Sequence, residues 1–331
     1  MSRNFLSSSC FAALFLGAAT LPVAAQRAGY REVVADEFVR QFLVSQYFSQ
    51  ELGVSGGTLS LPGSLSDSDI NQQFINISGR HASSWDLWYK GLLQMRTQLT
   101  FGAAWNDDKV PVPAAGLVPD RTQSTSVSGS FGNGFRWRRW SHTTAILYTD
   151  IGLQYLQNRY NYNSPQSWSL APARDGSTRN WFAATLTSIT EIGIHQSIPL
   201  VPGVWKEGED EPVSPWLRFH TKFSNISQIG FYGRNSDQRR FVSSFVWTSG
   251  VEVYVPLGTH QGKDFFLAPF FQFSDMHDDG NRSITRDGHL YRAGTRLGFR
   301  NKTDMRDLDS VHLTGTAYLG KGLTGWQVGM A

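Results

Sequence analysis

The chain has 331 residues, of which 17% are charged and 13% aromatic, with a formal net charge of +3 and a mean hydropathy of −0.30. So small a charge, spread along the chain, argues against nucleic acid as a partner. No apolar run reaches the roughly 20 residues of a membrane-spanning helix. An aromatic-rich, charge-poor chain that is not uniformly hydrophobic is typical of membrane strands with alternating apolar and polar residues.

The N-terminus has the pattern of a secretory signal. Arg3 supplies the positive charge, residues 11–21 form a short apolar run, and residues 23–25 are small residues suited to cleavage. We therefore predict a signal peptide over residues 1–25. Cys10, the single cysteine, falls in this segment, so the mature chain is expected to use neither disulfides nor thiolate chemistry.

One amphipathic helix is predicted, from Asp36 to Leu52. Its larger apolar side chains lie on one side, and Gly53 is well placed to end it. At about 1.5 Å per residue the helix spans roughly 25 Å, close to the height of the apolar band of a membrane barrel. Two placements stay open: a helix on the surface or in the periplasm, or a plug inside a barrel.

The clearest strand runs from Leu93 to Trp105. Its odd positions are apolar apart from Thr97, and its even positions as far as Gly102 are polar or small. Globular strands usually stop at roughly 5–6 residues, whereas a tilted strand that crosses a bilayer needs about 9–11. The odd face is therefore expected to meet lipid and the even face the barrel lumen.

The same alternation recurs in about twelve segments. The predicted strands are Thr58–Leu61, Phe74–Ser78, Trp88–Trp105, Ser124–Arg138, Ala145–Arg159, Trp181–Ile198, Trp216–Ile226, Phe241–Leu257, Phe265–Ser274, His289–Arg300, Val311–Gly320 and Trp326–Met330. Long and short connections mostly alternate, as they do when one barrel end faces outward and the other the periplasm. The long segment Pro199–Pro215 falls where a short turn is expected, so it is either a periplasmic excursion or a sign of a wrong strand phase.

These patterns predict an all-β fold, a transmembrane antiparallel β-barrel of about twelve strands with one N-terminal amphipathic helix. Residues 26–55 form the helical segment and residues 56–331 the outer-membrane barrel. Six tryptophans at or near strand ends are expected to form the interfacial aromatic girdles: Trp88, Trp137, Trp140, Trp181, Trp216 and Trp326. A soluble periplasmic β-sandwich is a weaker alternative.

Charged residues of the strands fall almost without exception on the polar face. A charge on the lipid face costs roughly 2–4 kcal/mol at mid-bilayer, so this sorting supports the barrel. The lumen-facing charged residues are predicted to be Arg96, Asp150, Glu191, Arg218, Lys222, Glu252, Arg292, Arg296 and Arg300, with Arg136 and Arg138 on the same face. Three roles stay open: a lattice of cross-lumen ion pairs that stiffens the barrel, a ring that selects a solute, or catalysis.

Two short motifs suggest chemistry. Glu191, His195 and Ser197 share one strand face, and His195-Gln196-Ser197 resembles the His-x-Ser spacing of outer-membrane phospholipase. In that family the His and Ser face lipid and are followed by Asn-Gly. In this sequence they are expected to face the lumen and are followed by Ile198 and Pro199. The segment from Asp275 to Gly280 begins like a calcium loop, but Arg286 stands where a bidentate Glu is needed. We expect no metal and no cofactor.

A signal, one amphipathic helix and about twelve membrane strands resemble the translocator domain of autotransporters, and in particular the solitary outer-membrane autotransporter barrels that lack a passenger. The resemblance implies that the helix Asp36–Leu52 lies in the lumen and that Trp326–Ala331 is the closing strand. Only Gln26–Ala35 precede the helix, so no passenger is expected. Because the chain ends on Ala331 and not on Phe or Trp, the last strand is expected to be short by a few residues.

The expected function is that of a non-enzymatic integral barrel of a Gram-negative outer membrane, either plugged or a narrow, porin-like pore. Expected partners are outer-membrane lipid, lipopolysaccharide and, during biogenesis, the barrel assembly machinery. The alternative is an outer-membrane lipid hydrolase that uses His195 and Ser197.

Overall fold

The computed structural model describes residues 53–61, 70–88, 92–110, 120–140, 142–161, 178–201, 215–233, 241–278, 288–301 and 310–331. These residues form twelve strands: β1 (Gly53–Leu61), β2 (Ile70–Trp88), β3 (Leu93–Val110), β4 (Asp120–Trp140), β5 (Thr143–Asn161), β6 (Thr178–Pro199), β7 (Trp216–Gly233), β8 (Phe241–His260), β9 (Lys263–Asp278), β10 (His289–Asn301), β11 (Ser310–Gly320) and β12 (Leu323–Met330).

The strands close into a barrel. Each pairs antiparallel with its neighbour in sequence, and β1 pairs with β12 to complete the ring. Lipid offers no partner to a backbone N–H or C=O group, so a spanning sheet must pair every strand on both edges. The twelve-stranded antiparallel barrel predicted from the sequence is confirmed, and the β-sandwich alternative is wrong.

Alternation along each strand separates an outward face from an interior face. On β3, Leu99 and Phe101 are 55% and 62% exposed, whereas Gln98 and Asn106 are 8% and 4% exposed. Large apolar side chains thus point outward and polar ones inward, the reverse of a water-soluble protein. The odd residues of β3 face outward, as the sequence predicts.

Strand bounds differ from the sequence analysis mainly near the N-terminus. β2 has 19 residues, where only Phe74–Ser78 was predicted, and it ends at Trp88, which was assigned to the following strand. The signal peptide and the predicted helix lie outside the described residues. Among those described, no helix has the length and apolarity needed to cross a bilayer.

The two barrel ends can be told apart by their connections. β1 begins and β12 finishes at the end where connections of two to four residues join β2 to β3, β4 to β5 and β8 to β9, whereas the other end has one connection this short, between β11 and β12. Short turns are typical of the periplasmic side. β6 ends at Pro199 and β7 begins at Trp216 at this same end, where the Leu200 amide donates to the Pro215 carbonyl oxygen (2.9 Å). The strand phase was right, and Pro199–Pro215 is a long connection on the periplasmic side.

The tryptophan prediction holds only in part. Trp137 is exposed on the outward face near the end of β4, as a girdle requires. Trp326 is also exposed on the outward face, but it lies midway along β12. Trp216 is 1% exposed and lies inside the barrel, so its assignment to the girdle is wrong. It is an even residue of β7 and therefore shares the interior face with Arg218. The side chains of Trp88, Trp140 and Trp181 lie outside the described part.

The assignment of outward and interior faces can be tested on two adjacent residues of β4. Phe131 points outward between Leu99 and Ile151, while Ser130 points inward at the same depth. We expect Phe131→Arg to lower the free energy of unfolding by about 2–4 kcal/mol because the charge meets lipid, and Ser130→Arg to lower it far less. Urea titration of the protein in lipid vesicles measures both values, and equal losses would contradict the assigned faces.

Candidate functional site in the barrel interior

The interior wall of the barrel is polar. Its buried positions include Gln72 and Asn76 on β2, Gln154 on β5 and Thr248 on β8. All nine charged residues that the sequence assigns to the lumen occupy positions of the same parity as the buried residues of their strands. The candidate site is therefore this charged wall.

The first ion pair joins β6 to β7. The Lys222 ammonium lies 2.9 Å from Oε1 of Glu191, and the Ser224 hydroxyl donates to the same oxygen at 3.2 Å. Ser224 is directly opposite Glu191 in the ladder, so Lys222 reaches it diagonally. A carboxylate held by an ammonium and a hydroxyl is fixed in position on the wall.

The second ion pair bridges β8 and β10 across β9. Nη1 of Arg296 lies 3.1 Å from Oε1 of Glu252, and its guanidinium carbon lies 4.9 Å from the centroid of the Phe270 ring. Phe270 stands opposite Glu252 and Gly294 in the two ladders. A Cβ on Gly294 would overlap the Phe270 ring, so only glycine lets this ring lie between the two charged residues.

The remaining arginines of β10 lie over aromatic rings. The guanidinium carbon of Arg292 is 5.4 Å from the Phe270 centroid and 5.7 Å from that of Tyr318, and Arg300 lies 5.7 Å from Tyr254. Each position gives a cation the electron-rich face of a ring. The basic stripe of β10 is thus packed against aromatic side chains of β8, β9 and β11.

Arg96 and Asp150 belong to the β3–β5 wall. Asp150 is buried and stands in one row with Gln98 and Gly132 of the two preceding strands. Arg96 lies one pleat from this row, opposite Gly134. The two ion pairs described above run along the wall between neighbouring or next-but-one strands, so the cross-lumen geometry suggested for the lattice is wrong for them.

The residues of the hydrolase alternative lie on one face of β6 without forming a catalytic arrangement. The His195 ring is 6.0 Å from that of His220, which is directly opposite it on β7. Glu191 is engaged by Lys222 and Ser224. Among the described residues, no hydrogen bond joins His195 to Ser197 or to Glu191, so the nucleophile–base contact that acyl transfer needs is not made there.

Sequence reasoning missed an aromatic cluster in the interior near the periplasmic end. The Trp216 and Tyr254 rings stack at 5.2 Å with an interplanar angle of 4°, and Tyr254 stacks on Phe266 at 5.1 Å. The guanidinium of Arg218 lies 4.3 Å from the Trp216 centroid. The sequence does contain a sign of this cluster: Trp216 and Arg218 are two residues apart in a strand, so their side chains lie on the same face. Arg218 therefore belongs to an aromatic–guanidinium cluster.

Metal-binding residues are not assembled in the described part of the barrel, where no three His, Cys, Asp or Glu side chains are grouped to hold an ion. Asp275, the first residue of the calcium-like segment, faces outward and contacts His277 at 3.1 Å. Residues 275–278 of this segment belong to β9, and residues 279 and 280 lie outside the described residues.

A double-mutant cycle with Glu191→Gln and Lys222→Met tests the strength of the interior ion pair between β6 and β7. Because both side chains are largely withdrawn from water, we expect a coupling free energy of roughly 1.5–3 kcal/mol. The matched control is the outward pair Asp107–Arg121, where Arg121 is 50% exposed and we expect less than about 1 kcal/mol. Chemical denaturation measures both, and equal couplings would show that the interior pair is screened like a surface pair.

Solved structures with similar folds include autotransporter domains. The transport unit of the autotransporter AIDA-I from Escherichia coli is 10% identical, with 89% of this chain and 97% of that chain covered and a TM-score of 0.53. The beta domain of the Bordetella autotransporter Brka is 10% identical, with 84% and 97% covered and a TM-score of 0.50. At such identities the likeness shows the fold alone.

The translocator domain of the autotransporter NalP from Neisseria meningitidis is 11% identical over 91% of this chain and 96% of that chain, with a TM-score of 0.46. No curated protein sequence matches the chain. The family model for the solitary outer membrane autotransporter beta-barrel domain matches residues 84–330, from within β2 to the last residue of β12. The chain thus belongs to the solitary outer membrane autotransporter beta-barrel family and is an autotransporter-type barrel domain of the Gram-negative outer membrane.

Proposed function

We propose that this protein is a non-enzymatic, plugged barrel whose N-terminal helix, Asp36–Leu52, occupies the lumen. The observation that carries the proposal is the way the chain enters the barrel at Gly53. Gly53 has a φ of 98°, and a Cβ at this position would overlap the carbonyl oxygen of Met330. The backbone at Gly53 therefore packs tightly against the end of β12, and Gly53, which directly follows the predicted helix in the sequence, lies at the periplasmic mouth.

Charge complementarity supports the same placement. The charged residues of the interior wall include Arg96, Arg218, Arg292 and Arg300, and cations outnumber carboxylates there. The predicted helix carries Asp36, Glu37 and Glu51 against a single Arg40. A net acidic segment is attracted into a cavity lined by arginine.

The interior wall also keeps hydrogen-bonding capacity for an occupant. The side-chain amides of Gln72 and Asn76 are buried on the interior face of β2, and none of their N or O atoms has a hydrogen-bond partner among the described residues. Buried amides normally find partners. A polar segment in the lumen would supply them.

Cysteine pairs test the placement of the helix, because the mature chain is predicted to lack cysteine. One cysteine replaces Ser45 or Ser49 in the helix, and the other replaces Ser130 on the interior face of β4. We expect a cross-link with a short bis-maleimide in membranes for the interior pair. Phe131→Cys, on the outward face, is the matched control. Cross-linking that is equal for both wall positions, or absent from both, argues against the plug.

Planar-bilayer conductance tests whether the helix blocks ion flow through the lumen. We expect the refolded full chain to conduct little and a variant without residues 26–52 to conduct steadily, since removal of the plug opens the lumen. Heat-modifiable migration in detergent shows that each variant has formed a barrel. Silence from both variants, or equal conductance, contradicts the proposed plug.

The non-enzymatic part of the proposal rests on the engagement of Glu191 by Lys222 and on the absence of a His195–Ser197 hydrogen bond in the described wall. Ser197→Ala is expected to leave lipid hydrolysis by the purified protein at the level of the wild type. A loss of hydrolysis on this substitution would instead support the lipid hydrolase.

Outer-membrane lipid and the barrel assembly machinery are the partners we propose for this barrel. Support for lipid comes from the outward face, where Leu99, Phe101, Val127 and Leu153 form part of a continuous apolar surface. Support for the assembly machinery comes from the closed fold, in which β12 must meet β1 at the end of insertion.

A further inference from the structure

Cations on the outward face of the barrel are concentrated in one place. Among the outward strand side chains that the structure describes, Lys and Arg occur at Lys109 on β3, Arg121 on β4, Arg159 on β5 and Lys263 on β9. The first three lie on adjacent strands at the extracellular end and are exposed. Lys263 lies at the opposite end. We call Lys109, Arg121 and Arg159 the rim patch.

The strand register brings the rim patch together. Lys109 is directly opposite Arg121, and Arg159 is directly opposite Gln123, which in turn faces Asp107. Residues opposite each other have Cβ atoms about 4.5–5.5 Å apart, and diagonal neighbours are about 7–8 Å apart. The three cations therefore form a single positively charged surface.

A carboxylate orients the central cation. Nε of Arg121 donates to Oδ1 of Asp107 at 2.8 Å, and Nη2 binds Oδ2. This fork holds the guanidinium against the strand pair, and Lys109 and Arg159 flank it. Among the described side chains of this surface, one carboxylate stands against three cations, so the patch keeps an excess of positive charge.

The rim patch lies at the height of lipid phosphates. Lys109 and Arg159 each lie four residues beyond the outward aromatic rings Trp105 and Tyr155. Four residues advance a strand by about 13 Å, or roughly 10 Å along the barrel axis at the usual tilt. Rings such as Trp105 and Tyr155 mark the membrane interface. The cations are thus placed just outside the apolar layer, where the headgroups of the outer leaflet are phosphorylated.

A gap between outward side chains lies on the same strands, within the apolar layer. Phe101, Gly129 and Leu153 form one outward row across β3, β4 and β5. A Cβ built on Gly129 has no heavy atom within 4 Å, whereas Phe101 and Leu153 on either side are 62% and 58% exposed. The missing side chain leaves a small apolar depression between two projecting side chains, which we call the trough.

We propose that the outward face of β3–β5 is a binding site for one lipopolysaccharide molecule of the outer leaflet. The rim patch binds its phosphates, and an acyl chain lies in the trough over Gly129. Three cations on three strands suit a lipid that carries more than one phosphate, and the apolar trough further along the same strands suits one of its acyl chains. The site is distinct from the charged interior wall and does not depend on the proposed plug.

Charge removal tests the phosphate half of the site. The double variant Lys109→Gln/Arg159→Gln leaves the Asp107–Arg121 pair in place. Each cation near a charged lipid surface contributes about a fivefold effect, so we expect the double variant to bind lipopolysaccharide about 25-fold more weakly. Native mass spectrometry of the full chain in detergent, titrated with purified lipopolysaccharide, measures the change. Lys263→Gln is the matched control and should bind like the wild type.

Filling the trough tests the acyl half. Gly129→Leu is expected to weaken lipopolysaccharide binding severalfold because the leucine occupies the space of the acyl chain. Gly315 is the control: it is an outward glycine of β11 with equally open surroundings, and Gly315→Leu should leave binding unchanged. Leucine suits an outward strand position better than glycine, so neither variant should impair folding.

Competition identifies the source of the phosphate. Phosphatidylglycerol and inorganic phosphate are titrated against bound lipopolysaccharide, and we expect each to displace it only at far higher concentration. Displacement by inorganic phosphate at similar concentration would show a simple anion site and overturn the proposal. Equal affinity for phosphatidylglycerol, or unchanged binding by the double variant, would overturn it as well.

Discussion

The demand that every backbone N–H and C=O group find a partner inside the sheet governs this molecule. In lipid an open edge would leave a row of unpaired polar groups, each costing several kcal/mol. The pairing of β1 with β12, from Val54 opposite Met330 to Ser60 opposite Thr324, removes both edges at once. Closure then divides every strand between lipid and lumen, and this division decides where each type of side chain is placed.

The same division gives the barrel two separate chemical surfaces. Inside, Glu191–Lys222 and Glu252–Arg296 are ion pairs along the wall, and several arginines lie over aromatic rings. These rings shield the guanidinium groups from water and so strengthen their interactions. Outside, aliphatic and aromatic side chains cover the apolar layer, and outward cations on β3–β5 stand beyond it. Charge on this protein is thus sorted first by face and then by height.

How far the sequence reveals this structure depends on how regular each strand is. β3 could be predicted because its outward positions are nearly all apolar, whereas the middle of β2, from Ser78 to Ser84, is small or polar on both faces and carries no alternation. Strand parity assigns Arg96 or Arg296 to a face. It does not say that Arg296 reaches Glu252 past Phe270, because that contact depends on register across three strands. Trp216 was misplaced because position near a strand end was given more weight than parity.

The pairing of β1 with β12 also determines the order of events during folding. The first and last strands are separated by the entire barrel sequence, so this contact has the largest loop-closure entropy of any strand pair in the molecule. Hairpins such as β8–β9, joined at Gln261 and Gly262, can form as soon as both strands exist. β1 has no stable partner on one side until β12 has been synthesised and exported. The chain must therefore cross the periplasm with an unpaired strand edge, and protection of that edge before insertion is a requirement of the topology itself.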